Sequence, residues 1–184
     1  PTNTTEQQNW HALPTPYGRE TKADDYLVAK GVSAFYPTIQ VMKEIRGQRK
    51  VVTESRLPNI FFAFGTEEEI KSYVYDNVNL PYLRFYYRHM HEGARITKSP
   101  LIVPQKQIEG LKIICESEAD DILYVPEEVQ KFKEGQMVRV IDGKFKGLTG
   151  RVARYQGQQR VAIIIDGGFT MATAYLPPAF LEYI

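Results

Sequence analysis

The sequence holds one cysteine, Cys115, so it can form no internal disulfide, and no second cysteine stands by to build a thiolate metal site. A buried, inert thiol is expected. No apolar run approaches the roughly 20 residues that a membrane-spanning helix needs, and Pro1 to Asn9 lack the basic and apolar regions of a signal peptide. The expected location is the cytoplasm, with no membrane partner. Catalytic chemistry is equally sparse: there is no glycine-rich loop ending in Lys-Ser or Lys-Thr, no Gly-x-Ser-x-Gly elbow, and no histidine near Cys115. The three histidines include His89 and His91, but no third Cys, His or paired carboxylate follows at ligand spacing, so no metal is expected. Asp24-Asp25, Asp120-Asp121 and Glu67 to Glu69 are sequence neighbours, which do not face a common site on a helix and read as solvated faces. Neither an enzyme nor a cofactor is expected.

What is present is the composition of a globular protein: 184 residues, 43% hydrophobic and 24% charged, with 12 Tyr, 9 Phe and one Trp for core building. The net charge of +1 conceals an uneven distribution. Residues 1–130 carry 15 Lys/Arg against 18 Asp/Glu, whereas 131–184 carry 8 against 4. Between Glu116 and Glu128 there are six carboxylates and no cation, followed at once by Lys131 and Lys133. That switch marks a linker. The expected division is a frayed terminus (1–9), a first domain (10–116), an acidic linker (117–130) and a second domain (131–184).

The hydrophobic pattern of the first domain predicts a strand at Trp10 to Leu13 and a helix after Gly18 with Ala23, Tyr26, Leu27 and Lys30 on one face, ending at Gly31. A hairpin follows, with its charged tip at Gly47, and then Ile60 to Phe64, apolar throughout, as a central strand covered on both faces. Thr66 caps a helix that opens on three glutamates. Tyr82 to Tyr87 reads as an aromatic strand and Gln105 to Ile114 as a last helix. An α+β architecture, an antiparallel sheet with helices packed on one face, is the economical solution. From Gly135 onward short strands alternate with turn dipeptides such as Asp142-Gly143 and Gln156-Gly157, which point to a small β-barrel. Helix is disfavoured there, because residues 135–184 contain seven glycines and the pair Pro177-Pro178.

The segment from Gly135 to Val152 resembles the KOW motif. Val138 and Val140 alternate inward on its first strand, Gly143 follows Asp142 in a turn, and Gly147 and Gly150 let the returning strand bend over a small barrel. Most of these residues build the barrel and nothing else. Lys144, Phe145 and Lys146 on one loop and Phe169 on another are expected to be exposed for a partner.

Trp10-His11 opening a strand, Arg46 to Lys50 in a hairpin, Arg56-Leu57-Pro58-Asn59-Ile60-Phe61-Phe62 leading into a central strand, and Ser99 to Pro104 before the last helix resemble the N-terminal domain of NusG-type transcription factors. With the barrel, the resemblance covers nearly the whole chain. Val32 through Phe62 and Ser99 to Pro104 resemble the specialised RfaH paralogues, while Tyr82 to Tyr87 and the barrel are similar to the UpxY-type antiterminators of polysaccharide operons. The resemblance implies a non-enzymatic elongation and antitermination factor that binds the RNA polymerase clamp and suppresses pausing and termination, in an operon-specific manner. It implies an apolar polymerase-binding pocket that includes Trp10, Leu57, Ile60, Phe62, Tyr82 and Phe85. It also implies contact with the non-template DNA strand, for which Arg19 and Lys22 stand at the matching basic positions with Tyr26 placed to stack on a base, and a ribosomal protein or termination factor as partner of the KOW domain. Lys71-Ser72-Tyr73-Val74 departs from the family by lacking the polar Thr run that RfaH uses. A ribosome-associated or RNA-binding KOW protein is the second reading, weakened by the balanced charge, since rRNA binders are usually strongly basic.

Overall fold

The computed structural model describes residues 7–15, 19–57, 59–76, 78–81, 83–117, 119 and 121–184. Of the residues singled out above, the first six, Gly18, Pro58, Tyr82 and Asp120 lie outside them. The chain forms two compact units, one made of Pro1–Tyr36 and Leu57–Gln105, the other of Pro37–Arg56 and Lys106–Ile184. The fold class is the expected one: mixed α and β, with antiparallel sheets and, among the described residues, three α-helices.

The first unit is organised by β5 (Ile60–Gly65), in which no side chain is polar. It pairs antiparallel with β1 (Asn9–Pro14), placing Leu13 opposite Phe61 and Ala12 opposite Phe62. β2 (Ser33–Phe35) and β8 (Ile102–Val103) complete a four-stranded sheet in the order β2-β5-β1-β8. Strand alternation sends Phe61, Ala63 and Leu13 to one face. There they meet α1 (Glu20–Ala29) and α2 (Glu67–Val74) in one buried cluster with Ala23, Leu27 and Ile70. Each fully buried Phe or Leu of this kind contributes about 1.5–3 kcal/mol. Thr66 caps α2 as expected, its hydroxyl accepting from the Glu69 amide at 3.1 Å. Tyr82 to Tyr87 was expected as a strand, but residues 83–86 carry no strand pairing, and pairing begins only at Tyr87. From there β6 (Tyr87–Glu92) and β7 (Arg95–Pro100) form a separate two-stranded ribbon that the pattern had not announced.

In the second unit, β3 (Thr38–Ile45) and β4 (Gln48–Ser55) pair over eight residues each, joined at Arg46-Gly47. Both turn residues have positive φ, 53° and 77°, which is the two-residue turn whose twist matches that of the strands. α3 (Gln105–Glu116) lays Gly110 against Leu148 and Ile163 of the barrel, and the Gln107 side-chain amide donates to the Ile164 carbonyl at 3.0 Å. The barrel strands are β10 (Met137–Val140), β11 (Thr149–Tyr155), β12 (Gln158–Ile164), β13 (Thr170–Ala172) and β14 (Leu181–Tyr183), so the domain is β-structured as expected.

A sixth strand, β9 (Leu123–Val125), comes from the acidic segment expected to be a linker. It pairs with β13, so that the sheet runs β14-β10-β11-β12-β13-β9. The reason lies in Arg160, whose side chain is 3% exposed and donates to the Asp121 carboxylate at 2.8 Å and to the Asp121 and Thr173 carbonyls at 3.1 Å. Further along, the Thr170 hydroxyl donates to the Glu127 carbonyl, and the Gly167 amide donates to the Glu128 carboxylate at 2.8 Å. That amide, with Lys133, holds the Glu128 carboxyl below its usual range. The Asp121 and Glu128 carboxylates act as ties.

Two outcomes test this packing. A Cβ at Gly150 would stand 2.6 Å from the Ala162 carbonyl oxygen, so Gly150→Ala should cost about 1–3 kcal/mol, seen as a lower Tm in a thermal melt. The Cys115 thiol is buried and pushed up to about 12, so it should resist alkylation at pH 8 in the native protein and react once the chain is denatured.

Candidate functional site

The face of the sheet opposite α1 and α2 is also apolar. Trp10, Ala12, Ile60, Phe62 and Val103 lie on it, all less than 9% exposed. The Phe35 ring stacks on Phe62 with centroids 5.8 Å apart and planes within 17°, and Trp10 packs on Phe64 at 5.4 Å. The indole Nε1 of Trp10 donates to Gln105 Oε1 at 2.6 Å, which fixes the ring at the edge of this face. Phe35 and Phe64, both half-buried, form its accessible border.

The structure brings Trp10, Ile60 and Phe62 of the expected polymerase set together on this face. Leu57 is fully buried in the turn before β5, and Phe85 lies elsewhere, in the cluster with Phe61, Leu13 and α1. Phe85 is thereby corrected to the helix-covered side. Its ring faces His11, at 6.1 Å, and His11 alternates with Trp10 along β1, so the two rings cannot share a face. Tyr82 lies outside the described residues.

At the start of α1 the chain forms a small cleft of about 120 Å³, lined by Thr15, Arg19, Lys22, Asn79, Leu80 and Leu83 among others. Arg19 and Lys22 are three residues apart, one helical turn, and both are exposed. Thr15 is 6% exposed and its Oγ1 has no hydrogen-bond partner, although its amide donates to the Asn59 carbonyl at 2.9 Å. An orphan hydroxyl beside two cations suits a polar, anionic ligand, and the volume is far below the 300–1,000 Å³ of a cofactor pocket. Tyr26, expected to join the cations, does not line the cleft. Its hydroxyl donates to Asp76 at 3.4 Å, and Lys30 sits over its ring at 5.5 Å. The Asp76 carboxyl is held below its usual range by the side chain and amide of Asn79, which fixes the loop that forms the far wall.

On the barrel, Lys144 and Lys146 are exposed as expected, but Phe145 and Phe169 are buried, at 4% and 0% exposure. This corrects the expectation of exposed aromatics. The coil between Gly143 and Gly147 turns tightly, the Lys146 amide donating to the Gly143 carbonyl and the Gly147 amide to that of Val140, so the middle residue points inward. Phe169 is covered by Tyr124 of β9 at 5.8 Å, and no sequence signal had placed that strand there. Thr15, Asn79 and Leu83 were also missed, since nothing in local periodicity joins residues 15 and 79. Among the described residues no group of three or more His, Cys, Asp or Glu is placed to hold a metal ion, and no helix is long and apolar enough to cross a membrane.

Compared with known proteins, residues 8–112 match the family model described as transcription termination factor nusG, and residues 134–166 match the KOW motif. A solved structure, "Domain interaction in Thermotoga maritima NusG", is similar at 18% identity over 97% of this chain and 98% of that chain, with a TM-score of 0.44.

The orphan hydroxyl makes a simple test possible. Thr15→Val should leave the thermal midpoint unchanged or raise it, because the hydroxyl is desolvated without a bond in return; a fall of several degrees would mean that Oγ1 has a structural partner.

Proposed function

The chain belongs to the NusG family, and on that premise we propose that it is a transcription elongation and antitermination factor that docks on the RNA polymerase clamp through its four-stranded sheet and suppresses pausing and termination. Proteins of this family bind RNA polymerase. One observation carries the reading for this chain: the sheet face opposite α1 and α2 is rich in aromatic rings and ends in a part-exposed border of Phe35 and Phe64. Phe35 and Phe64 at that border supply the aromatic anchors that partner-binding surfaces favour, seated on the buried Trp10, Ile60 and Phe62. The Arg19 and Lys22 cleft is the second contact, to the non-template DNA strand, where two cations and a polar pocket meet a phosphodiester. Lys144 and Lys146 are the exposed side chains through which the barrel meets a ribosomal protein or a termination factor.

The finer reading is an operon-specific factor of the polysaccharide type. It is supported by the likeness of Val32 to Phe62 and Ser99 to Pro104 to RfaH, and of Tyr82 to Tyr87 to the UpxY group. Occupancy of the protein along the genome tests it: signal confined to one or a few operons is expected, and uniform signal over all transcribed genes overturns it.

Polymerase docking is tested at the border of the face, where a substitution spares the core. Phe35→Ser should lower capture of RNA polymerase on the immobilised full chain by about tenfold or more, with little change in melting. A Lys144→Ser, Lys146→Ser double variant should capture as well as wild type. Undiminished capture by the folded Phe35→Ser variant would exclude this face as the polymerase contact.

A further inference from the structure

The ribbon β6–β7 takes no part in the contacts described so far, yet its base opens into a depression of the first unit. This groove, about 610 Å³, is lined by Pro14, Val74, Arg84, Phe85, Tyr86, Tyr87 and His89. Arg84 and His89 are exposed, Tyr86 is half-buried and Tyr87 is 38% exposed, so two phenol rings and two basic groups border one open trough. Ribbon register extends it. His89 stands directly opposite Lys98, whose ammonium lies 4.4 Å from the Tyr87 ring centroid, and His91 follows two residues on, on the same face. Below, the Tyr87 ring leans on Phe85 at 6.0 Å, which leans in turn on His11, so the platform is anchored in the core.

The charge here runs against its surroundings. Between residues 77 and 105 the chain carries Arg84, Arg88, Arg95 and Lys98 against Glu92 alone, within a stretch of 130 residues that is acidic overall. Aromatic faces interleaved with cations along an open trough are what binds unpaired nucleotides: bases stack on the rings and phosphates meet the cations. Position decides which strand. Pro14 lines this groove and Thr15 the Arg19–Lys22 cleft, while Leu83 lines the cleft and Arg84 the groove. We infer that the groove is a second nucleic-acid site, in which a single DNA strand held at the cleft continues over Tyr87 and Tyr86 with its phosphates against Arg84 and Lys98. The inference rests on the proposed DNA contact for its choice of strand, and not for the chemistry of the groove.

Fluorescence anisotropy on the full chain with labelled single-stranded DNA of 5 and 12 nucleotides at low salt separates the two sites. Wild type should bind the longer DNA distinctly more tightly. Tyr87→Leu, and independently Arg84→Ser with Lys98→Ser, should lose that gain, on the order of tenfold for a lost base stack, and the double cation variant should flatten the salt dependence by about two charges. The cation variant is confined to the surface, so it stays informative if Tyr87→Leu loosens the ribbon. An Arg19→Ala, Lys22→Ala variant should instead weaken both lengths. If only the groove variants weaken binding, the groove stands and the cleft contact falls. Wild-type binding of the 12-mer by the groove variants overturns the inference, as does a groove-dependent preference of tenfold or more for RNA of the same sequence.

Discussion

β5 has to be covered on both sides. Six consecutive residues without a polar side chain cannot leave either face in water, and the pairing of β5 with β1 passes that demand to the neighbouring strand. Everything in the first unit follows from how the two faces are treated. On the Phe61 side, two short helices meet the demand with aliphatic and aromatic side chains at helical spacing. On the Phe62 side it is met by rings packed on rings, Trp10 on Phe64 and Phe35 on Phe62. A stacked aromatic surface at the border of a sheet gives large contact area with few side-chain torsions to freeze, which is the property a docking face requires.

Much of this could be read from residue order. The apolar run at Ile60, the Thr66 cap with its glutamates, the Arg46-Gly47 turn and the glycine spacing of the barrel are local signals, and the structure realises each where it stands in the chain. What escaped was set by distant partners. The β6–β7 ribbon alternates polar with polar and shows no apolar face, so its pairing leaves no periodic trace. Phe145 and Phe169 looked exposed because each lies among glycines and charges, whereas their burial comes from a tight coil and from Tyr124, 45 residues upstream of Phe169. The family resemblance also placed Phe85 with Phe62 in one pocket; only the register of β1 separates their faces. Site residues suffered most, because a cleft joins positions such as Thr15 and Asn79 that share no segment.

Cations in this protein do two different kinds of work according to their surroundings. Arg160 is sunk into the barrel with carbonyls and a carboxylate around it, so its charge is spent internally on ordering the chain. Arg19, Lys22, Arg84 and Lys98 stand at the rims of depressions instead, where charge reaches outward and salt governs its strength. The near-neutral total is the sum of these unlike populations and describes neither.

The tie between β9 and β13 bears on how such a barrel can be moved between proteins. Thr170, Met171 and Ala172 are entirely buried, and β9 occupies the edge they would otherwise present. A barrel inherited or transplanted from Lys131 onward would arrive with that edge bare, an open template for pairing with a second copy of itself. The portable module is the barrel with the acidic stretch that precedes it, and recombination that respects Asp121 keeps the edge closed.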